Sequence, residues 1–336
     1  MSLKFIHLRR PCGWRSVPLL LATLLLAACA SAPVPLQTQQ QPGSQTAAVA
    51  SPAGPPAAPV PPVPLAPPPP PPPPKIPPRI GLALGGGAAR GFAHVGIIQV
   101  LEEAGIRPTL VAGTSAGSLV AALYASGKNG RQLQQIAESM DESTIADWTL
   151  PIFSRGMLRG EALARYVNGL VGSRTIEQLV MPLGIVATDL NSGAEAIFQR
   201  GDTGTAVRAS SSVPAVFQPV RISGRDYVDG GLVSPVPVSA ARKMGAELVI
   251  AVDISSPPDG NLAGGTLDIL MQTFAIMGKS INNFELRDAD VVVRPALLGV
   301  SSADFSARKR SIEAGRQAML QALPQLRAAI AAKTHY

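Results

Sequence analysis

The chain has 336 residues, with 29 lysines and arginines, 22 aspartates and glutamates, and a formal net charge of +7. Four of the basic residues precede residue 29, in a segment that we expect to be removed, so the remaining charge is 7 − 4 = +3. So small an excess argues against a basic nucleic-acid-binding surface. With two cysteines and three histidines, we also predict no cysteine–histidine metal centre.

The first 28 residues are typical of an export signal. Four basic residues and no acidic one precede a 12-residue apolar run, VPLLLATLLLAA, which is too short to span a membrane. The run leads into Cys29, and LAAC is similar to the lipobox of bacterial lipoproteins, in which the cysteine carries lipid after cleavage. We predict a signal peptide at residues 1–28 and lipid attachment at Cys29. The alternative is an ordinary secretory signal with an incidental cysteine.

The predicted location follows from the same segment. Ala30, rather than aspartate, follows Cys29, and resemblance to Gram-negative lipoproteins then favours the outer membrane. Cys12 would leave with the signal and Cys29 would be acylated, so we expect a mature chain without a disulfide.

Residues 29–78 are predicted to be the lipid anchor and a disordered linker. The stretch from Ala30 to Pro78 holds 20 of the 33 prolines, eight of them consecutive at Pro67–Pro74. Proline cannot donate a backbone hydrogen bond, so a packed element is not expected here. We interpret the segment as a spacer.

Beyond Arg79, strand and helix patterns alternate. Strands are predicted at RIGLAL, TLVAG, LGIVATDL, AEAIF, ELVIAVDI and DVVVRP. Helices are predicted at AARGFAHVGIIQVLEEAG, AGSLVAALYAS, GEALARYVNGLV, PVSAARKMG and around residues 308–320. This alternation predicts one α/β domain over residues 79–336, with a mostly parallel sheet and helices on both faces.

A glycine-rich turn, LALGGGAARG, follows the first predicted strand. Backbone N–H groups at such a turn can hold a phosphate, a dinucleotide or the oxyanion of a tetrahedral intermediate. No acidic residue ends the next strand and no Lys-Ser/Thr pair follows, which argues against dinucleotide and Walker-type sites. An oxyanion hole or a tight turn without a ligand remains.

GTSAG, residues 113–117, has the pattern of a nucleophile elbow. Gly113 and Gly117 allow a strand and a helix to pack closely, with Ser115 exposed on a strained turn between Thr114 and Ala116. The flanking TLVA and SLVAALYA supply the expected strand and helix. We therefore predict Ser115 to be a nucleophile.

The base for Ser115 is not an obvious histidine. His7 lies in the predicted signal peptide, His335 is next to last, and His94 precedes the serine in the first predicted helix. We interpret His94 as a structural group, with a catalytic base as the alternative. Asp229-Gly230-Gly231 follows a short strand-like run, and its glycines let another loop approach the carboxylate. Taken alone, this Asp-Gly pair could equally be a plain turn.

In this order, the glycine-rich turn, G-x-S-x-G and Asp-Gly-Gly resemble the patatin-like phospholipase family, particularly its bacterial members. VATDLNSGAEAIFQRG and AVRASSSVPAVFQPV also resemble that family's middle segments, so the resemblance extends over about residues 79 to 320. It implies a three-layer α/β/α fold and a serine–aspartate dyad, with Ser115 as nucleophile and Asp229 as base. The implied oxyanion hole is the backbone of Gly86, Gly87 and Ala88.

The resemblance implies hydrolysis of a phospholipid, a lysophospholipid or another acyl ester through an acyl-serine, with no metal or organic cofactor. A lipidated Cys29 would hold the domain near its membrane substrate. Alternatives are an acyltransferase with the same dyad and a non-catalytic lipid-binding lipoprotein. Ala88 stands where many relatives have glycine, and alanine adopts a positive φ poorly. We expect Arg90 to brace this turn, and WTLPIFSRGML (148–158) either to contact lipid or to be core.

Overall fold

The structure is a computed structural model that describes residue 54 and residues 74–140, 156–255, 265–300 and 304–335. The predicted signal peptide, Cys29 and almost all of the predicted linker lie outside the described residues, as does most of WTLPIFSRGML. Among the described helices, none combines the length and the apolar character needed to cross a membrane.

The domain is built on an eight-stranded sheet with the order β10-β9-β1-β2-β4-β8-β7, and β5 pairs with β4 off this path. Neighbours from β10 to β4 are parallel, whereas β5, β7 and β8 pair antiparallel. A separate parallel pair joins β3 to β6. The strands are β1 Ile80–Leu84, β2 Leu110–Thr114, β3 Gly156–Leu158, β4 Leu183–Asp189, β5 Glu195–Phe198, β6 Ala215–Phe217, β7 Val220–Ile222, β8 Arg225–Asp229, β9 Leu248–Val252 and β10 Val291–Val293.

Helices cover both faces of this sheet, as the alternating strand and helix patterns predict. Leu82 and Leu84 of β1 point to one hydrophobic cluster and Ala83 to the other, because side chains alternate along a strand. The first cluster includes α1 to α4 and α8, and the second includes α6. The helices are α1 Ala93–Glu103, α2 Ala116–Ala125, α3 Gly130–Ser139, α4 Glu161–Val171, α5 Thr203–Ser210, α6 Val238–Lys243, α7 Thr266–Glu285 and α8 Arg308–Lys333.

Strand β4 is paired along both edges, and this arrangement positions the site. Ile185 and Val186 pair with both β2 and β5, while Ala187 and Thr188 pair with both β5 and β8. β5 therefore takes one edge of β4, and β2 and β8 share the other edge in succession. Because β2 runs parallel to β4 and β8 antiparallel, the C-terminal ends of β2 and β8 face each other.

Three helices differ from the sequence predictions. The first begins as a 3₁₀ turn at Ala88–Phe92 and becomes α-helical only at Ala93. The last continues to Lys333, well beyond residue 320 and through Pro324. α7 has 20 residues and was not predicted; four of its large apolar side chains are exposed, so its sequence lacks a clear buried stripe.

Helices α1 and α8 cross at a pair of glycines. A Cβ at Gly96 would lie 1.9 Å from the carbonyl oxygen of Ile312, and one at Gly315 would lie 2.0 Å from that of Ala93. The backbones are therefore in direct contact, and a side chain at either position would force the helices apart.

Replacing Gly96 with alanine should lower the free energy of unfolding by about 3 kcal/mol, because backbone atoms cannot move aside as flexible side chains do. Gly169→Ala is the matched control: nothing lies within 4 Å of that Cβ position in α4. It should raise stability by up to about 1 kcal/mol through helix propensity. Urea unfolding measures both, and equal effects of the two substitutions would contradict the close crossing.

Candidate active site

Ser115 lies on the turn between β2 and α2, with φ 52° and ψ −123°. This left-handed conformation is strained for a residue with a side chain. The flanking glycines are required by contact, since a Cβ at Gly113 would lie 2.5 Å from the Gly117 carbonyl oxygen, and one at Gly117 would lie 2.1 Å from that of Leu84. The sequence GTSAG thus folds as the strand–turn–helix that its pattern predicts, with Ser115 at the N-terminal end of α2.

Two serines outside the predicted motifs hold this turn. The Ser115 N–H donates to Ser210 Oγ at 2.8 Å, and Ser210 Oγ donates to the Val186 carbonyl at 2.5 Å. Ser118 Oγ donates to the Ser115 carbonyl at 2.6 Å. These bonds tie the strained residue to β4 and to its own helix. Ser210 carries no sequence signal beyond its place in the RASSSVP segment.

Asp229 is brought to Ser115 by the shared edge of β4. Thr114 pairs with Val186 and Asp229 pairs with the next residue, Ala187, so the two strand ends meet. A Cβ at Gly230 would lie 2.3 Å from the Val186 carbonyl oxygen. Glycine is therefore needed directly after the aspartate, as the motif predicts.

The Asp229 carboxyl is buried and its proton affinity is high. Burial raises the pKa of Asp229 to about 6, against smaller opposing effects of hydrogen bonding from the Gly231 N–H and the Ser115 hydroxyl. Oδ1 accepts from the Gly231 N–H at 2.7 Å. Oδ2 is buried and has no well-formed hydrogen bond among the described residues. The Ser115 hydroxyl therefore lies near a carboxylate oxygen without a tight bond to it, as is common before substrate binds.

His94 is committed to a structural bond. Its buried ring donates from Nε2 to the Gly85 carbonyl at 2.9 Å, while Nδ1 has no partner in the described part of the chain. Burial lowers the pKa of His94 to about 4, so the ring is neutral at pH 7 and braces the glycine-rich turn. His335 pairs with Ile76, before the start of β1 and thus at the opposite end of the sheet from Ser115.

The glycine-rich turn requires one correction to the predicted oxyanion hole. The Gly86 N–H donates to the Pro235 carbonyl at 2.9 Å, so it is not available to an oxyanion. The N–H groups of Gly87 and Ala88 form no hydrogen bond with other described residues, and neither does that of Ala116 at the start of α2. The free donors therefore come from both the glycine-rich turn and the elbow. A free N–H after the nucleophile is a general feature of such elbows.

Ala88 does adopt a positive φ, at 48°. An L-residue pays about 1–2 kcal/mol for this conformation. The turn is held by Arg90, whose Nε donates to the Gly87 carbonyl at 3.3 Å and whose backbone N–H donates to the same oxygen at 3.1 Å. Arg90 thus occupies the bracing position that the sequence predicts.

A pocket of about 340 Å³ opens at Ser115. Its walls come mainly from apolar residues of the Ala88–Phe92 turn, α2 and α3, with Val213, Val216 and Phe305 among the others. Leu158, the described end of the segment for which lipid contact or core was expected, is buried and lines it. A serine hydroxyl at the edge of an apolar cavity suits an ester with a hydrocarbon chain. Among the described residues there is no group of three or more metal-ligating side chains.

The sequence over this region matches a known family. Residues 82–242, which include Ser115 and Asp229, match the patatin-like phospholipases. This match covers just under half of the chain. Members of that family are lipid acyl hydrolases that act on ester bonds.

Curated relatives extend the match. The chain is 40% identical over 184 residues to an uncharacterized NTE family protein of Mycobacterium tuberculosis, covering 54% of this chain and 51% of that protein. It is 35% identical over 192 residues to human patatin-like phospholipase domain-containing protein 6, covering 55% of this chain and 14% of that protein. The chain thus spans about half the length of the first relative and far less of the second.

The domain also has the expected fold. The crystal structure of VipD from Legionella pneumophila superposes with a TM-score of 0.52 at 15% identity, covering 73% of this chain and 67% of that one. At this identity the similarity shows the fold alone. It agrees with the predicted three-layer α/β/α architecture.

The pKa values of His94 and Asp229 predict opposing effects of pH on stability. Unfolded His94 binds a proton below its ordinary value of 6.5 and the folded ring only below about 4, so its effect destabilises the fold by up to about 3 kcal/mol as pH falls through this window. Folded Asp229 keeps its proton up to about 6 and the unfolded group only to 3.8. Its effect therefore destabilises the fold by a similar amount as pH rises.

Removing either ionisable group should leave the pH dependence due to the other visible in the free energy of unfolding. In Asp229→Asn the free energy of unfolding should fall by about 3 kcal/mol from pH 6.5 to 4, whereas in His94→Gln it should fall as pH rises from 4 to 6. The unsubstituted protein should show a much flatter profile in this window. Urea unfolding at half-unit pH steps measures the three curves, and parallel curves would show that the two groups do not titrate as described.

Proposed function

We propose that this protein is a serine esterase acting on lipid acyl chains, of phospholipase A or lysophospholipase type, with a Ser115–Asp229 dyad. The observation that carries the proposal is the buried Asp229 carboxyl, with a raised pKa, beside a serine on a strained turn at the edge of an apolar pocket. The similarity of residues 82–242 to the patatin-like phospholipases supports the same reaction class.

In the proposed reaction, Ser115 Oγ attacks the ester carbonyl while Asp229 takes the hydroxyl proton. Negative charge on the carbonyl oxygen is stabilised by the free N–H groups of Gly87, Ala88 and Ala116. The tetrahedral intermediate then collapses to an acyl-serine, and Asp229 gives its proton to the departing alcohol. Water then attacks the acyl-serine while Asp229 accepts one of its protons. As the second tetrahedral intermediate collapses, Asp229 returns that proton to Ser115 Oγ, which releases the fatty acid and restores the serine hydroxyl.

The raised pKa of Asp229 suits this role. A carboxylate at its ordinary pKa is a weak base at neutral pH, and burial brings its proton affinity closer to the working range. The neutral His94 does not take part in the chemistry; its bond to the Gly85 carbonyl fixes the turn that supplies two of the three donors.

Ser115→Ala should lower kcat for a chromogenic acyl ester by about 10³-fold or more, and Asp229→Asn by about 10²–10⁴-fold. The unsubstituted enzyme should lose activity below pH 6, about tenfold per unit in kcat/KM, because the protonated carboxyl cannot act as base. The matched controls are Ser280→Ala in α7 and Asp288→Asn just after that helix, both at exposed positions. Near-native rates in either dyad variant would exclude the dyad.

We further propose that Cys29 carries the lipid that holds the enzyme at the outer membrane. Support comes from the apolar run before Cys29 and from the alanine after it. In a Gram-negative host, Cys29→Ser should abolish labelling by a clickable palmitate analogue and release the protein from the membrane fraction. Cys12→Ser should change neither, and Ala30→Asp should shift the protein to the inner membrane. Unchanged labelling in Cys29→Ser would contradict the anchor.

A further inference from the structure

The pocket at Ser115 runs along one face of α2. Four of its lining residues, Ala116, Leu119, Val120 and Leu123, follow the spacing i, i+3, i+4, i+7 and therefore form one stripe on this helix. At 1.5 Å per residue, Leu123 lies about 12 Å along the helix axis from Ser115. The pocket thus extends from the nucleophile toward the C-terminal end of α2.

A second stripe faces it from α3. Leu133, Ile136, Ala137 and Met140 line the same pocket with the same i, i+3, i+4, i+7 spacing, Met140 being the residue that ends the helix. Only residues 126–129 connect α2 to α3, so the start of α3 lies near the end of α2. Leu133 is therefore at the level of Leu123, far from Ser115, and Met140 is toward Ser115.

The far end of the pocket is closed by tightly buried side chains. Leu123 is 3% exposed and Leu133 is 2% exposed. Ala137, the small residue halfway along the α3 stripe, is 4% exposed. A hydrocarbon chain that enters beside Ser115 would pass Ala137 and stop at Leu123 and Leu133.

We propose that these two stripes bind the acyl chain of the substrate and that Leu133 and Ala137 limit its length. The proposal rests on the esterase function proposed above. A methylene needs about as much space as a water molecule, ~30 Å³, so a pocket of about 340 Å³ holds one chain of ~11 carbons. The preferred substrates are therefore esters of a single medium-length, unbranched acyl chain, with the alcohol part outside the pocket.

The proposal predicts the shape of a chain-length series. For p-nitrophenyl esters below their critical micelle concentrations, kcat/KM should rise about threefold to fourfold per added methylene. The rise should end near ~11 carbons, where the pocket is full. A continued rise of kcat/KM to 16 carbons, or no dependence of kcat/KM on chain length, would contradict the proposed length limit.

Two opposite substitutions test the residues. Leu133→Ala removes three carbons from the far end and should move the break to a chain longer by about three carbons, whereas Ala137→Leu should move it to a shorter chain by a similar amount. Leu326→Ala, on α8 and fully buried outside the pocket lining, is the matched control for a cavity in the core and should leave the break in place. An unchanged break in both pocket variants would overturn the assignment.

Binding separates this inference from the proposed reaction. Saturated fatty acids of 6 to 16 carbons are titrated calorimetrically into Ser115→Ala and into the same variant combined with Leu133→Ala or Ala137→Leu. The affinities should show the same break and the same opposite shifts. A break in the fatty-acid affinities without any ester turnover by the unsubstituted protein would contradict the proposed esterase activity but support the length limit. Ester turnover with no break in either the kinetic or the binding series would contradict the length limit alone.

Discussion

The shared edge of β4 is the constraint on which the candidate site depends. β2 occupies the first half of that edge and β8 the second, and their opposite directions bring Thr114 and Asp229 to adjacent positions, opposite Val186 and Ala187. Ser210 reinforces the junction by bonding to both the Ser115 N–H and the Val186 carbonyl. Two residues separated by 114 positions in sequence (229 − 115) are therefore held together by backbone pairing and not by contact between long side chains.

Under the proposed function, this arrangement lets an aspartate act as the base for Ser115 in place of a histidine. The Asp229 carboxyl sits at the end of a strand inside the protein, where burial raises its pKa to about 6. Among the residues that the structure describes, one of its oxygens has a well-formed bond, to the Gly231 N–H, and the other has none. The other is available for the serine hydroxyl, so the backbone fixes the carboxyl without satisfying it fully.

Sequence reasoning located the features that depend on local chemistry. Gly113 and Gly117 were predicted from the spacing around Ser115, and the structure shows the close backbone contacts that require them. The donors of the glycine-rich turn could not be assigned in this way, because the Gly86 N–H is used by Pro235, about 150 residues later. Ser210 and the unpredicted α7 were inaccessible for the same reason: their roles depend on tertiary neighbours, whereas an alternating α/β pattern is visible in the sequence itself.

The split occupancy of β4 also has a consequence for biosynthesis. A nascent chain emerges from its N-terminus, so Ser115, β2 and β4 are all synthesised before Arg225–Asp229. Until that late strand docks, the serine faces no carboxylate and the proposed chemistry has no proton acceptor. Under the proposed mechanism, the protein would cleave esters only after β8 has docked. An incompletely folded chain would therefore not hydrolyse the lipids of a nearby bilayer.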